Sequence, residues 1–307
     1  MVADPDAQAE ERRQIQQHRI LREVFDGVVI PPIRFPPSGV DEPAVLDCGF
    51  GKGAWIDDLL SEYEDAVVTG IDMFLGRGTN GDEQDEGEDE GGDNGGGVME
   101  FEPKRWNLNA PFRQDRSDSR LQPGTFDLIN SRFLVAGING NRWATYIADL
   151  ERLLKPGGWV QIVEQYPLIR SESGRAIPYL QEWWQRYSLS MVQMNKDPHI
   201  SRNLRAQLDR QGFENVRERV ERLPIGNWDA GQSPFSPFDL QSSDSLVEHA
   251  SLGEEILDNV EALLVSLSLY PFLHPSRPSM TGDEYLALIQ GARRELRMPD
   301  SRLYYHV

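Results

Sequence analysis

Asp47, Gly49, Gly51 and Gly53 stand at alternate positions of Val45-Leu46-Asp47-Cys48-Gly49-Phe50-Gly51-Lys52-Gly53-Ala54-Trp55. Val45 and Leu46 read as the end of a buried strand, and Trp55, Ile56, Leu59, Leu60 and Tyr63 recur at helical spacing behind it. The glycines between them let the backbone turn tightly and let a ligand approach where a Cβ would block it. The helix behind the turn offers free N–H groups and the positive end of its dipole. Such a stretch is built to hold a nucleotide-like ligand at the carboxyl edge of a parallel sheet. A second acid, Asp72, follows Ala66 to Ile71, an apolar run of the kind a strand buried on both faces shows. A carboxylate at that strand end can accept both hydroxyls of a ribose; a plain strand-ending acid is the alternative.

Three readings of the glycine stretch compete. It can be a tight turn with no ligand. Gly49-x-Gly51-x-x-Ala54 also fits the dinucleotide fingerprint of an NAD-dependent oxidoreductase. Asp47 separates the other two, because a carboxylate there repels a pyrophosphate. It suits the cationic amino-acid end of S-adenosylmethionine, directly or through water.

The elements that must position these residues follow from the rest of the chain. Residues 1–12 are polar and expected to fray, and a helix is expected from about Arg13 to Phe25, ending at Gly27. Pro31, Pro32, Pro36 and Pro37 enforce an extended linker. Residues 79–97 are nearly all Gly, Asp, Glu and Asn, so a disordered acidic insertion is expected between a second and a third strand. The chain resumes at Val98 to Phe101. Phe126 to Arg132 reads as a fourth strand that brings Asn130, Ser131 and Arg132 to the same edge. Trp143, Tyr146, Ile147, Leu150, Leu153 and Leu154 form a core-facing helical stripe. Lys155-Pro156-Gly157-Gly158 ends that helix, and Trp159 to Val163 returns as a strand before Glu164. A further helix carries Ile177, Leu180, Trp184, Tyr187 and Met191. Its Trp183 and Trp184, with Met194, either pack in the core, the default for such a stripe, or line a pocket for an apolar substrate. Leu204 to Gln211 reads as a short helix, Phe213 to Leu223 as a sixth strand, and Gly231 to Ser245 as a loop. Two helices around Ile256 to Leu267 and Thr281 to Arg297 precede a seventh strand at Arg302 to Val307.

Composition narrows the function classes. The chain has 307 residues and a formal net charge of −19, with eight carboxylates between Asp82 and Asp93. That balance repels phosphates and argues against nucleic acid. The lone cysteine, Cys48, precludes an internal disulfide and fits a reducing compartment. No Cys/His cluster has metal-ligand spacing, the N-terminus lacks the apolar run of a signal peptide, and Val260 to Leu273 is too short and too charged to span a membrane.

The pattern Asp47-x-Gly49-x-Gly51-x-Gly53 resembles motif I of class I methyltransferases. The whole ordering resembles the fungal LaeA-like, UMTA-type group. The stretches that carry it are Gln17-His18-Arg19, the motif I segment, and Leu154-Lys155-Pro156-Gly157-Gly158-Trp159-Val160-Gln161 with Glu164. Gln211-Gly212-Phe213 and the later Pro224-Ile225-Gly226-Asn227-Trp228 complete it. The resemblance implies an α/β, Rossmann-like class I methyltransferase fold: a seven-stranded, mostly parallel sheet with helices on both faces and a helical cap. It implies residues 1–40 as a helix and linker covering the cofactor site, 41–165 as the cofactor-binding core, and 166–307 as the second half of the sheet with its substrate cap. S-adenosyl-L-methionine is the implied cofactor and a small molecule of secondary metabolism the implied methyl acceptor. A regulatory subunit acting through protein partners is the alternative. Asp47 and the glycine-loop backbone would hold the methionine part, with Cys48 alongside. Asp72, with Met73, would hold the ribose, Asn107 with Leu108 the adenine, and Ser131 and Arg132 would border the methyl. Asn107 departs from the family, where an acid bonds the adenine amino group; its carbonyl can still accept but adds no charge. His18 is the candidate base if the acceptor is a hydroxyl. No metal and no membrane partner is expected. The cytoplasm is the expected location, or the nucleus for the regulatory alternative.

Overall fold

The computed structural model describes residues 5–35, 42–75, 101–112, 121–229, 243–276, 278–298 and 300–307. The acidic insertion at 79–97, Pro36, Pro37, Val98 and most of the loop expected from Gly231 lie outside the described residues. The chain divides into two compact units. One comprises Pro31–Arg132 and Arg152–Ile162; the other comprises Met1–Ile30, Phe133–Glu151 and Val163–Val307.

The first unit is built on one sheet. Its strands are β1 (Ala44–Cys48), β2 (Val67–Asp72), β3 (Glu102–Arg105), β4 (Phe126–Arg132) and β5 (Leu154–Val163), in the order β3-β2-β1-β4-β5. β1 runs parallel to both β2 and β4, and β2 parallel to β3. β1 and β2 are joined through α2 (Ala54–Glu62), which buries Trp55, Ile56 and Leu59. Parallel strands need such a crossover, and burial on both faces explains why Val45, Leu46, Val68, Ile71, Leu128 and Ile129 are apolar and almost fully enclosed. The order reverses between β1 and β4, so their carboxyl ends flank the crevice where open α/β sheets bind ligands.

The chain from β4 to β5 passes through α3 (Trp143–Leu153), whose stripe Trp143, Tyr146, Ile147, Leu150 and Leu153 is buried as its spacing requires. β5 begins at Leu154, directly after α3, so Lys155 to Gly158 belong to the strand and not to a separate turn. Gly158 explains the close fit. A Cβ there would come within 3.0 Å of the Phe126 carbonyl oxygen and 3.2 Å of that of Asp127. Lys155 Nζ lies 2.7 Å from Asp127 Oδ2, which also accepts from the Ala44 amide at 2.8 Å, so one carboxylate ties the starts of β1, β4 and β5 together.

The second unit is helical around a small antiparallel sheet. α1 (Pro5–Phe25) starts two turns earlier than its apolar pattern predicts. Polar pairs account for the extension, since Glu10 bonds both Arg13 and Gln14 at 2.7–2.9 Å. The other helices are α4 (Pro178–Gln193), α5 (Leu204–Arg210), α6 (Ser243–Phe272) and α7 (Gly282–Leu296). Asn259 of α6 donates to the Arg13 carbonyl at 2.8 Å, and Arg19 pairs with Glu255 at 2.8 Å, so α1 lies along α6. α7 opens with a capping box between Thr281 and Glu284.

Here the sequence reading of one seven-stranded sheet is corrected. β6 (Tyr166–Ser171), β7 (Arg222–Ile225) and β8 (Leu303–His306) form a separate sheet in the order β6-β8-β7, with β8 antiparallel to both neighbours. The expected sixth strand shrinks to its last residues, because Glu214 and Arg217 to Val220 are exposed and carry no buried alternation. β6 is absent from the sequence reading because Pro167 breaks the strand pattern, yet β6 is an edge strand, where a missing N–H costs no ladder bond. The fold class stands: a mostly parallel, Rossmann-like central sheet.

Candidate active site

All the expected site residues except His18 fall in the first unit, and the backbone brings them to one edge of its sheet. Gly49, Gly51 and Gly53 have φ of 76°, 58° and 87°. Each sits in the left-handed region, where a side chain costs about 1–2 kcal/mol. The loop is tied to β2 from both sides: the Gly49 amide donates to the Ile71 carbonyl at 2.7 Å, and the Gly51 amide to Asp72 Oδ2 at 3.1 Å. Gly70 completes the fit. A Cβ there would lie 2.7 Å from the Phe101 ring and 2.8 Å from the Phe50 ring, which pack edge-to-face at 5.2 Å.

Gly53 is the N-cap of α2 and makes no side-chain capping bond. The first N–H groups of this helix therefore keep capacity for an anionic ligand group at the positive end of the dipole. Asp72 accepts from the Gly51 amide through Oδ2 and from the Phe74 amide through Oδ1 at 3.0 Å. A carboxylate has about four acceptor sites, so two remain for hydroxyls. Met73 beside it is 41% exposed.

Asp47 lies at the base of this turn, 3% exposed. Its Oδ1 accepts from Asn130 Nδ2 at 2.8 Å, and Oδ2 makes no bond among the described residues. Burial pushes the Asp47 carboxyl up to about 7, while the Asn130 bond and Arg132 pull it down and Asp72 adds to the rise. Arg132, at the end of β4, is itself lowered to about 10 by burial, against the pull of Asp47 and Asp58. The site thus holds a buried carboxylate, an uncapped helix start and an accepting acid at the next strand end. Those three groups match an ammonium, a carboxylate and a ribose, the polar parts of S-adenosylmethionine.

The other expected site residues are placed as follows. The Trp106 amide bonds the Asp72 carbonyl at 2.8 Å, so Asn107 and Leu108 follow directly from the end of β3, beside β2. Asn107 is exposed and its Oδ1 accepts from the Asn109 amide at 3.0 Å. Cys48 and Ser131 are register partners on β1 and β4 and have no exposed surface; they pack beneath the loop. His18 belongs to α1 of the other unit and is 8% exposed. There Trp183 is a core residue, 1% exposed with its Nε1 on the Leu264 carbonyl at 3.2 Å. Among the described residues no group of three or more His, Cys, Asp or Glu could hold a metal ion, and no helix is long and apolar enough to cross a membrane.

One buried residue of this edge was given no role from sequence. Gln161 on β5 donates from Nε2 to Asn130 Oδ1 at 2.8 Å. The signal was a lone amide in the apolar run Trp159 to Val163, opposite a second lone amide in β4.

With its topology and this strand-end cradle, the first unit is of the Rossmann-like, nucleotide-cofactor-binding class. A family model described as a methyltransferase domain matches residues 16–218, and the chain belongs to that family of S-adenosylmethionine-dependent methyltransferases. The N-methyltransferase gliN of Aspergillus fumigatus is 23% identical over 71% of this chain and 69% of its own length. The secondary metabolism regulator LAE1 of Pyricularia oryzae is 26% identical over 70% of this chain and 61% of its own. A phosphoethanolamine N-methyltransferase 2 from Haemonchus contortus, solved with S-adenosyl-L-methionine, aligns with a TM-score of 0.43 and 15% identity over 95% of this chain and 50% of that one.

Proposed function

We propose that the chain transfers a methyl group from S-adenosylmethionine to a small molecule of fungal secondary metabolism. One observation carries the reading: Asp47, held by Asn130, the uncapped start of α2, and Asp72, bonded to the glycine turn through Gly51, stand together at the strand ends. When bound, the cofactor supplies a methyl on a positively charged sulfur, which a nucleophile attacks in line. Asp47 and the glycine-loop amides hold the amino-acid end, Asp72 holds the ribose, and Asn107 with Leu108 holds the adenine. Arg132 borders the methyl, with the fully enclosed Ser131 packed behind it. The N-methyltransferases among the relatives support a nitrogen acceptor, which needs no strong base; for a hydroxyl acceptor His18 takes that role. The net charge of −19 disfavours nucleic acid as the acceptor. The proposed location is the cytoplasm.

A second reading is favoured by the regulators among the relatives: a methyltransferase-fold subunit that binds cofactor and acts through protein partners, in the nucleus. Incubating the protein with methyl-labelled cofactor and candidate metabolites, followed by mass spectrometry, tests the first reading. Label in a small molecule supports it. Label in no metabolite, with co-purification of a regulatory complex, favours the second.

A further inference from the structure

We infer that Gln161 is a positioning residue for the cofactor, acting through Asn130 to hold Asp47 ready for the ammonium of the amino-acid end. This rests on the cofactor reading above.

Asp47, Asn130 and Gln161 lie on the three adjacent strands β1, β4 and β5. Asp47 and Asn130 are direct register partners. The three side chains are 3%, 1% and 5% exposed, so water does not compete for their bonds. Both bonds run in one direction, Gln161 Nε2 to Asn130 Oδ1 and Asn130 Nδ2 to Asp47 Oδ1, each 2.8 Å. That polarity fixes which way the Asn130 amide faces. Turned over, Asn130 would set its carbonyl against the Asp47 carboxylate and its amine against the Gln161 amine. A chain of bonds ending on a carboxylate also strengthens each of its members.

The donor at position 161 therefore holds the donor at position 130 in place, and that donor holds Asp47 Oδ1. Oδ2 is left for the ligand. Without Gln161 the Asn130 amide keeps only the Asp47 carboxylate to orient it and its buried carbonyl loses this donor, so its hold on Asp47 Oδ1 loosens and the carboxylate can rotate away from the cradle. Arg132 and Asp72, the other charged groups that act on Asp47, are untouched by a change at position 161.

The test compares two ligands that differ at the amino-acid end. S-adenosylhomocysteine carries it, and 5′-methylthioadenosine lacks it. Calorimetry is run on the wild-type chain and on Gln161→Met, with the isosteric Gln161→Glu at pH 8.5 as a second variant should the first fail to fold. In either variant affinity for S-adenosylhomocysteine should fall about tenfold, the worth of one bond to a charged group, while that for methylthioadenosine stays within about twofold. In an Asn130→Ala background Gln161→Met should have no further effect on S-adenosylhomocysteine. Equal losses for both ligands would make Gln161 a merely structural residue, and unchanged affinity for both would remove it from the site; either result overturns the inference. A wild-type chain that binds neither ligand would instead sink the cofactor reading beneath it.

Discussion

Asp72 braces the glycine loop through Gly51, and the proposed function gives it the ribose as well. Asp72→Ala removes charge-assisted bonds worth about 1.5–3 kcal/mol each, so affinity for S-adenosylhomocysteine should fall at least about tenfold by calorimetry. Unchanged affinity would take Asp72 out of the site. Asp47 makes a different prediction. Burial raises its carboxyl to about 7, so in the free protein it is partly protonated below that pH. A bound ammonium favours the charged form, so binding must release a proton there. Affinity should rise with pH up to about 7 and then level off, and Asp47→Asn should abolish that rise. Titrations across that range, in buffers of differing ionisation enthalpy, measure both effects. Of the site, the residues that punctuate the chain were legible in sequence: Asp47 and Asp72 at strand ends, and glycines that only a left-handed turn requires. Gln161 was not, because its role depends on β5 lying beside β4, which no local pattern states. Asn107 was legible as a position, but its turn with Asn109 was not.

α4 shows how an element can depend on a distant residue. Its N-cap, Ile177, offers no side-chain acceptor, and the Tyr179 and Leu180 amides donate instead to the two oxygens of Glu295 on α7, at 3.0 and 2.8 Å. Glu295 is 2% exposed, so nothing in solvent replaces it. Glu295→Ala should destabilise the fold by about 2–4 kcal/mol, read as a lower urea midpoint, and Glu295→Gln by less. A midpoint unchanged by Glu295→Ala would contradict the capping role. The helices themselves were plain in sequence, because α3, α4 and α6 carry stripes that their burial then requires. The parallel strands were plain for the same reason. The small sheet was not. β6 contains Pro167 and β7 contains Pro224, and both are edge strands of β8, so their placement depends on a partner more than 75 residues away in the chain.

Taken as a whole, the molecule should lose stability as pH rises through neutrality. Glu164, buried and bonded to the Leu134 and Val135 amides, has its carboxyl pushed by burial from 4.5 up to about 8. The native state then keeps a proton that the unfolded chain has lost. Its contribution is full below about pH 4.5 and disappears as pH rises through about 8. Urea midpoints should therefore fall less steeply over that range in Glu164→Gln than in the wild-type chain; equal slopes would contradict this. The two units also divide what sequence could say. The first is a recurring cofactor-binding arrangement written in glycines and strand-end acids, whereas the second is specified by packing among α1, α4, α6 and α7, which leaves no comparable signature. The central claim concerns the first unit alone, that its glycine turn is shaped for a methyl donor. The direct measurement is a calorimetric titration of the full chain with S-adenosylhomocysteine and, separately, with NAD. Saturable one-to-one binding of S-adenosylhomocysteine, lost in Asp72→Ala, with no heat from NAD, is the expected result. Binding of NAD in its place, or of neither ligand, would contradict it.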